Sequence, residues 1–180
     1  MKGYRKTNMQ DNQISWQEEL RSIRLPRWSE LPDIPLYMDQ LVTLVSRYVQ
    51  PFQVGDTNDK ALTPNMVNNY VKKNYILAPE KKRYDQRHLA RLIIILILKQ
   101  SFDLPTIHLG IQSQIEQGDY KQAYDQFCKQ LEDSIALLIP EQKQQTIEIN
   151  FSNNQYRAVQ MATLSLAAKF VAAKALRENL

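Results

Sequence analysis

Asparagine and lysine line one side of a short predicted helix at residues 63–74, and their types suggest a specific chemistry. The stripe opposite its apolar side contains no carboxylate and consists of Asn65, Asn68, Asn69 and Lys72. A solvated helix face normally carries both signs of charge, so this stripe indicates a partner rather than water. Asn can pair bidentately with adenine in the major groove, and Lys binds guanine or phosphate. The stripe therefore predicts contacts with nucleic acid.

Three consecutive cations follow in a short segment at residues 77–84, the basic turn. Lys81, Lys82 and Arg83 suit phosphates, which position a protein on DNA and supply much of its salt-dependent affinity. Residues 63–100 carry eight basic and two acidic side chains, a net charge of +6, within a chain of net charge +4. A local basic patch is typical of a polyanion binder, although an ordinary exposed turn has the same composition.

Hydrophobic spacing and capping signals predict the elements that position these residues. Thr63 and Pro64 are typical of the start of a helix, and Val67, Tyr70 and Val71 form its inward side. Further helices are expected at residues 16–23, 36–48, 85–101, from 105, 119–139 and from 153 or 154 to 178, with a short strand or extended loop at 146–151.

The longest apolar run lies inside the predicted helix 85–101. Residues 92–98 are all apolar, so this helix should be buried on more than one side. The run is far shorter than the roughly 20 residues of a membrane span, and no signal-peptide pattern follows the basic N-terminus. We therefore expect a cytoplasmic protein that does not engage a membrane.

Catalytic and metal-binding motifs are absent from the sequence. We find no glycine-rich phosphate loop, catalytic carboxylate pair, nucleophile set or zinc spacing, so we expect no enzyme activity, no metal and no cofactor. The carboxylates of Asp119, Asp125, Glu132 and Asp133 are interpreted as the solvated face of a helix. Cys128 lies beside the apolar stripe of that helix, which favours a buried small hydrophobe over a redox sensor.

Several strings of the sequence resemble a bacterial domain-of-unknown-function family, the one numbered 1836, over about residues 25–130. They are Leu25-Pro26-Arg27-Trp28, Leu36-Tyr37-Met38-Asp39-Gln40 and Thr63-Pro64-Asn65-Met66-Val67-Asn68-Asn69-Tyr70-Val71-Lys72. The order of the segments also resembles the MerR-type winged helix-turn-helix. Helix 63–74 is followed by a basic turn ending in Tyr84 and then by the segments 85–92 and 101–107. That resemblance implies a DNA-binding transcriptional regulator that dimerises through C-terminal helices.

The resemblance also implies which residues contact DNA. The recognition helix would supply Asn65, Asn68, Asn69, Tyr70 and Lys72, and the wing a basic contact near Lys82 or Arg83. MerR proteins connect the first two helices by a tighter turn than the segment 51–62. They also commonly have Arg at the positions of Asn65 and Asn68, so the base preference of MerR proteins does not transfer to this chain. Asn74 replaces a family glycine and tolerates the same left-handed backbone. The full predicted DNA-binding set is Thr63, Asn65, Asn68, Asn69, Tyr70, Lys72, Lys73, Lys81, Lys82, Arg83 and Tyr84.

We therefore predict a mainly α-helical protein with a MerR-like winged helix-turn-helix followed by a C-terminal helical region. The expected parts are a tail and short helix at 1–24, a DNA-binding domain at 25–110 and a C-terminal region at 111–180. The expected function is sequence-specific binding of double-stranded DNA by a homodimer that represses transcription. The alternative is a non-catalytic helical adaptor whose winged helix no longer binds DNA. The alanine-rich last helix fits either dimerisation or packing on its own core, and no effector is identified.

Overall fold

Seven α-helices form the architecture of the part of the chain that the structure describes. The computed structural model describes residues 16–53, 61–116, 118–139 and 156–178. The helices are α1 (Trp16–Ser22), α2 (Met38–Val49), α3 (Pro64–Lys72), α4 (Gln86–Leu98), α5 (Leu104–Glu116), α6 (Tyr120–Leu138) and α7 (Arg157–Glu178), with short 3-10 turns at Trp28–Glu30 and Gln50–Phe52. The predicted mainly α-helical class is confirmed. The predicted N-terminal tail, most of the segment 51–62 and the predicted strand or loop at 146–151 lie outside the described residues.

Side-chain caps start three of these helices where the sequence predicts. The Thr63 hydroxyl accepts a hydrogen bond from the Met66 amide at 3.2 Å, with Pro64 in the first turn of α3. The Asp85 carboxylate accepts from the Arg87 amide at 3.0 Å at the start of α4, and Asp119 caps α6 in the same way. Each cap satisfies a backbone donor that has no partner inside its helix.

Helix α4 forms the centre of the hydrophobic core. Every residue from His88 to Leu98 is buried, because α2, α5, α6 and α7 all pack against α4. The prediction that this helix is buried on more than one side is confirmed. One continuous cluster of buried residues extends from Leu20 to Phe170. The domain boundary predicted at residue 110 falls inside α5.

Carboxylates of α6 bind the segment 25–35, which contains three prolines and precedes α2. Arg27 forms a two-pronged ion pair with Glu132, and the Arg27 Nη1 to Glu132 Oε1 distance is 2.8 Å. The amide of Trp28 donates to Asp125 Oδ1 at 2.7 Å. The interpretation of these carboxylates as a merely solvated face is therefore wrong for Asp125 and Glu132. Their partners lie about a hundred residues away in sequence, so helical periodicity does not reveal them.

Cys128 lies on the inner side of the same helix. Its side chain is fully buried, and burial raises the pKa of its thiol to about 12. A protonated thiol is a poor nucleophile, so the group acts as a small apolar side chain. The interpretation of Cys128 as a buried hydrophobe is confirmed.

Helix α7 exposes much of its apolar surface. Within the described part of the chain it alone has the length and composition of a membrane span, with a mean hydropathy of 1.2 over an 18-residue window, 22% of which is buried. A single helix of this kind is weak evidence for a span, since core helices satisfy the same criteria. Its inner residues Leu166, Ala167 and Phe170 pack on the core, mainly along α6.

Candidate nucleic-acid interface

Helix α3 presents its polar stripe outward and its apolar residues inward. Val67 is fully buried, whereas Asn65, Asn68, Asn69 and Lys72 are exposed. The apolar side packs toward α2 and the core, which leaves amide and ammonium groups on the free side. The helix contains no acidic residue, so nothing on it repels an anionic partner.

The end of α3 is fixed by a left-handed residue. Asn74 has φ 60°, and the Tyr75 amide donates to the Tyr70 carbonyl at 2.8 Å while the Asn74 amide donates to that of Val71 at 3.0 Å. These two bonds form a Schellman motif, which usually requires glycine and otherwise accepts asparagine. The expectation that Asn74 tolerates the left-handed backbone is confirmed.

The tip of the basic turn is a tight four-residue turn at 80–83. The Arg83 amide donates to the Glu80 carbonyl at 2.8 Å, and both central residues are left-handed, Lys81 with φ 48° and Lys82 with φ 62°. Two positive φ angles define a type I′ turn, which normally contains Asn or Gly. Lysine carries a Cβ that disfavours this backbone by about 1 to 2 kcal/mol per residue.

A single backbone pair connects the basic turn to the start of α2. The Leu36 amide donates to the Tyr84 carbonyl at 2.8 Å, and the Tyr84 amide donates back to Leu36 at 2.9 Å. Within the residues that the structure describes, this bridge and the one closing the turn are isolated, and no β-strand is assigned. The predicted wing is therefore a tight turn with two bridges rather than a two-stranded hairpin.

Two tyrosines of the predicted DNA-binding set lie in the core. Tyr70 is 7% exposed and Tyr84 is 4% exposed, and burial raises the pKa of both phenols. They support the interface from beneath and are not accessible to DNA in this conformation. Thr63 is exposed, but its hydroxyl serves the helix cap. The other residues of the set are exposed or half-buried: Asn65, Asn68, Asn69, Lys72, Lys73, Lys81, Lys82 and Arg83.

Four lysines supply the accessible positive charge. Lys72, Lys73, Lys81 and Lys82 are exposed, and none of them takes part in an ion pair with another described residue. Two lie at the end of α3 and two at the tip of the basic turn. α3 packs against α2, and the Leu36–Tyr84 bridge connects the turn to the start of the same helix.

Two arginines that contribute to the sequence charge have other roles. Arg87 is paired with Asp85, and its Nε lies 2.8 Å from the carboxylate. Arg91 is 5% exposed, and its Nη2 lies 3.0 Å from His108 Nδ1. Burial lowers the pKa of Arg91, and burial together with this arginine lowers the pKa of His108. These two guanidinium groups stabilise the start of α4 and its packing on α5.

Tyr37 is a candidate site residue that the sequence does not single out. Its ring is 51% exposed and lies under the guanidinium of Arg83, with Cζ 3.4 Å from the ring centroid. Arg83 also donates to the Tyr37 hydroxyl. Stacking on an aromatic face orients a cation without neutralising it. The two residues are 46 positions apart in sequence, so only the fold reveals the pair.

These observations define a class: a helical protein with an exposed, carboxylate-free polar helix beside a lysine-bearing turn. Residues 26–127, more than half of the chain, match the model of the family described as Domain of unknown function (DUF1836). The chain belongs to this family. No curated protein and no solved structure matches the sequence.

Proposed function

We propose that the protein binds double-stranded DNA sequence-specifically as a homodimer and represses transcription by occluding its site. In this proposal α2, α3 and the basic turn act together as a MerR-like winged helix-turn-helix. α3 enters the major groove, where Asn65, Asn68 and Asn69 read base edges. Lys81 and Lys82 contact flanking phosphates, and the aromatic ring of Tyr37 orients Arg83 toward the same backbone.

The observation that supports this proposal best is the backbone of the turn at 80–83. Lys81 and Lys82 both adopt positive φ angles, where Asn or Gly would be more stable. Strained backbone of this kind persists where the side chains serve a purpose that stability alone does not explain. Lys81 and Lys82 carry two exposed ammonium groups at the tip of the turn, which suit the charge of successive phosphates, so we assign phosphate binding as that purpose.

Salt-dependent binding to duplex DNA tests the proposal. Fluorescence anisotropy with a random-sequence duplex should give affinity that falls steeply as salt increases, because phosphate contacts release counterions. Lys81→Gln and Lys82→Gln should each weaken binding and flatten the salt slope by roughly 0.9 per lost contact. Lys121→Gln is the matched control, since Lys121 is an exposed lysine on α6.

The outcome that overturns the proposal is equally clear. Absence of salt-sensitive binding at low ionic strength would contradict it, and so would an equal effect of all three lysine substitutions. Asn69→Ala separates the two kinds of contact. This substitution should reduce the difference in affinity between a selected sequence and random DNA, while the salt dependence of binding stays unchanged.

Exposed apolar side chains near the interface favour a second candidate function. Ile34 is 64% exposed and Tyr37 is 51% exposed, beside the start of α2. Exposed apolar groups near a basic surface are typical of protein-binding sites, so the alternative is an adaptor that binds an acidic protein partner. Ile34→Ser distinguishes the functions, because it should weaken binding to a protein partner and leave nonspecific DNA affinity unchanged.

A further inference from the structure

A groove of about 750 Å³ lies on the side of the molecule formed by α4 to α7. α7 packs mainly along α6, and α5 packs on α4 and α6, so α5 and α7 form opposite walls. Ile94 and Leu98 of α4 and Phe127 of α6 contribute to its lining. Its volume lies within the range of about 300 to 1,000 Å³ that is typical of small-molecule sites.

The lining of the groove selects for an uncharged ligand. It is mainly apolar and includes no Asp, Glu, Lys, Arg or His among the described residues. A charged ligand would lose its hydration there without gaining a counter-charge, which is costly. Thr106 of α5 and Ser165 of α7 contribute hydroxyl groups to the two walls, and the Thr106 hydroxyl is also hydrogen-bonded to the Asp103 carboxylate. This composition suits a molecule with an apolar body and one or two neutral hydrogen-bonding groups.

Gly110 leaves the backbone of the wall formed by α5 open to the groove. It lies in the interior of that helix and lines the groove, and a Cβ built on it would meet nothing within 4 Å. Glycine inside a helix costs about 1 kcal/mol relative to alanine, so packing within the described chain gives no reason for it. A missing side chain lets a ligand approach the backbone closely.

We propose that this groove is a binding site for an uncharged, mainly apolar small molecule, which packs against the α5 backbone at Gly110. The groove is separate from α3 and the basic turn, so ligand binding there can be tested independently of DNA binding. Its ligand lies between helices that are held together by α4, and the Ser165 hydroxyl on the wall formed by α7 fixes its orientation.

Titration with a neutral fluorescent probe, N-phenyl-1-naphthylamine, tests the site in the full chain. We expect saturable binding of one probe per chain. Gly110→Leu fills the open space and should weaken binding at least about tenfold, and Ser165→Leu should do the same from the opposite wall. Ala136→Leu is the matched control, because it adds the same side chain at an exposed position of α6 outside the groove. It should leave binding unchanged.

Three results would overturn the proposal. The first is no saturable binding of the neutral probe. The second is equal binding by Gly110→Leu, Ser165→Leu and wild type. The third is a wild-type dimer that Gly110→Leu converts to a monomer by light scattering, without probe binding, which would identify the groove as a contact between two copies. Circular dichroism confirms that each variant folds, and the anionic probe 1-anilinonaphthalene-8-sulfonate should bind more weakly than the neutral one.

Discussion

Replacing the two lysines at the tip of the basic turn should make the protein more stable and a weaker DNA binder. Lys81→Asn with Lys82→Gly installs the dipeptide that type I′ turns prefer. The structure gives φ angles of 48° and 62° at these positions, each of which costs a residue other than glycine about 1 to 2 kcal/mol. Asn tolerates this backbone and Gly has no Cβ, but Gly also gains freedom in the unfolded chain. We expect a net increase of about 1 to 2 kcal/mol in the free energy of unfolding.

Urea unfolding followed by far-UV circular dichroism measures the expected gain in the free energy of unfolding. Anisotropy titration measures the expected loss of DNA affinity. The variant lacks two ammonium groups, so its affinity for random duplex should fall and its salt slope should decrease by about 1.8 per chain. Stability and binding would then change in opposite directions.

The control for this prediction is Lys81→Gln with Lys82→Gln. It removes the same charges but retains two residues that carry a Cβ, so binding should weaken as much without any gain in stability. If the Asn-Gly variant were no more stable than the Gln-Gln variant, the strain argument would be wrong. If it bound DNA like wild type with an unchanged salt slope, the turn would not contact phosphate.

Two further predictions concern the scaffold. Arg27→Ala removes the partner of the partly buried Glu132 carboxylate and should lower the free energy of unfolding, measured by urea titration, by about 2 kcal/mol. Arg24→Ala breaks an exposed ion pair with Glu30, so it should lower the free energy of unfolding by less in the same titration. The pKa of His108 is lowered by burial and by Arg91, so the unfolded state binds its proton more readily and stability should fall as the pH decreases through about 6.5. His108→Asn should flatten the dependence of unfolding free energy between about pH 7.5 and 5.5, and an unchanged dependence would exclude His108 as its source.

The ends of the helices could be predicted from sequence because local chemistry determines them. Thr63 and Asp85 cap α3 and α4 through side-chain bonds to residues two or three positions later. The burial of α4 on more than one side followed from its unbroken apolar run. Periodicity also placed Tyr70 on the inward side of α3, whereas the family resemblance placed it among DNA contacts. The burial of Tyr70 agrees with the periodicity.

The features that sequence could not reveal depend on contacts between distant segments. Tyr84 is buried and its backbone pairs with that of Leu36. Arg83 stacks on Tyr37, and neither pairing leaves a local pattern in the sequence. The left-handed turn was hidden for a different reason. Its sequence Glu-Lys-Lys-Arg contains none of the Gly or Asn residues that mark type I′ turns. The groove between α5 and α7 likewise arises only from packing, since its walls come from separate helices.

Selection of bound duplexes from a random pool tests the central claim most directly. If α3 reads bases in a homodimer, the selected sequences should converge on a palindrome whose half-sites are centred about 34 to 36 Å apart, one turn of the double helix. Asn69→Ala should lose discrimination at defined positions of that palindrome while Lys82→Gln retains it. A pool that shows no enrichment over its starting composition would contradict sequence-specific recognition of DNA by this protein.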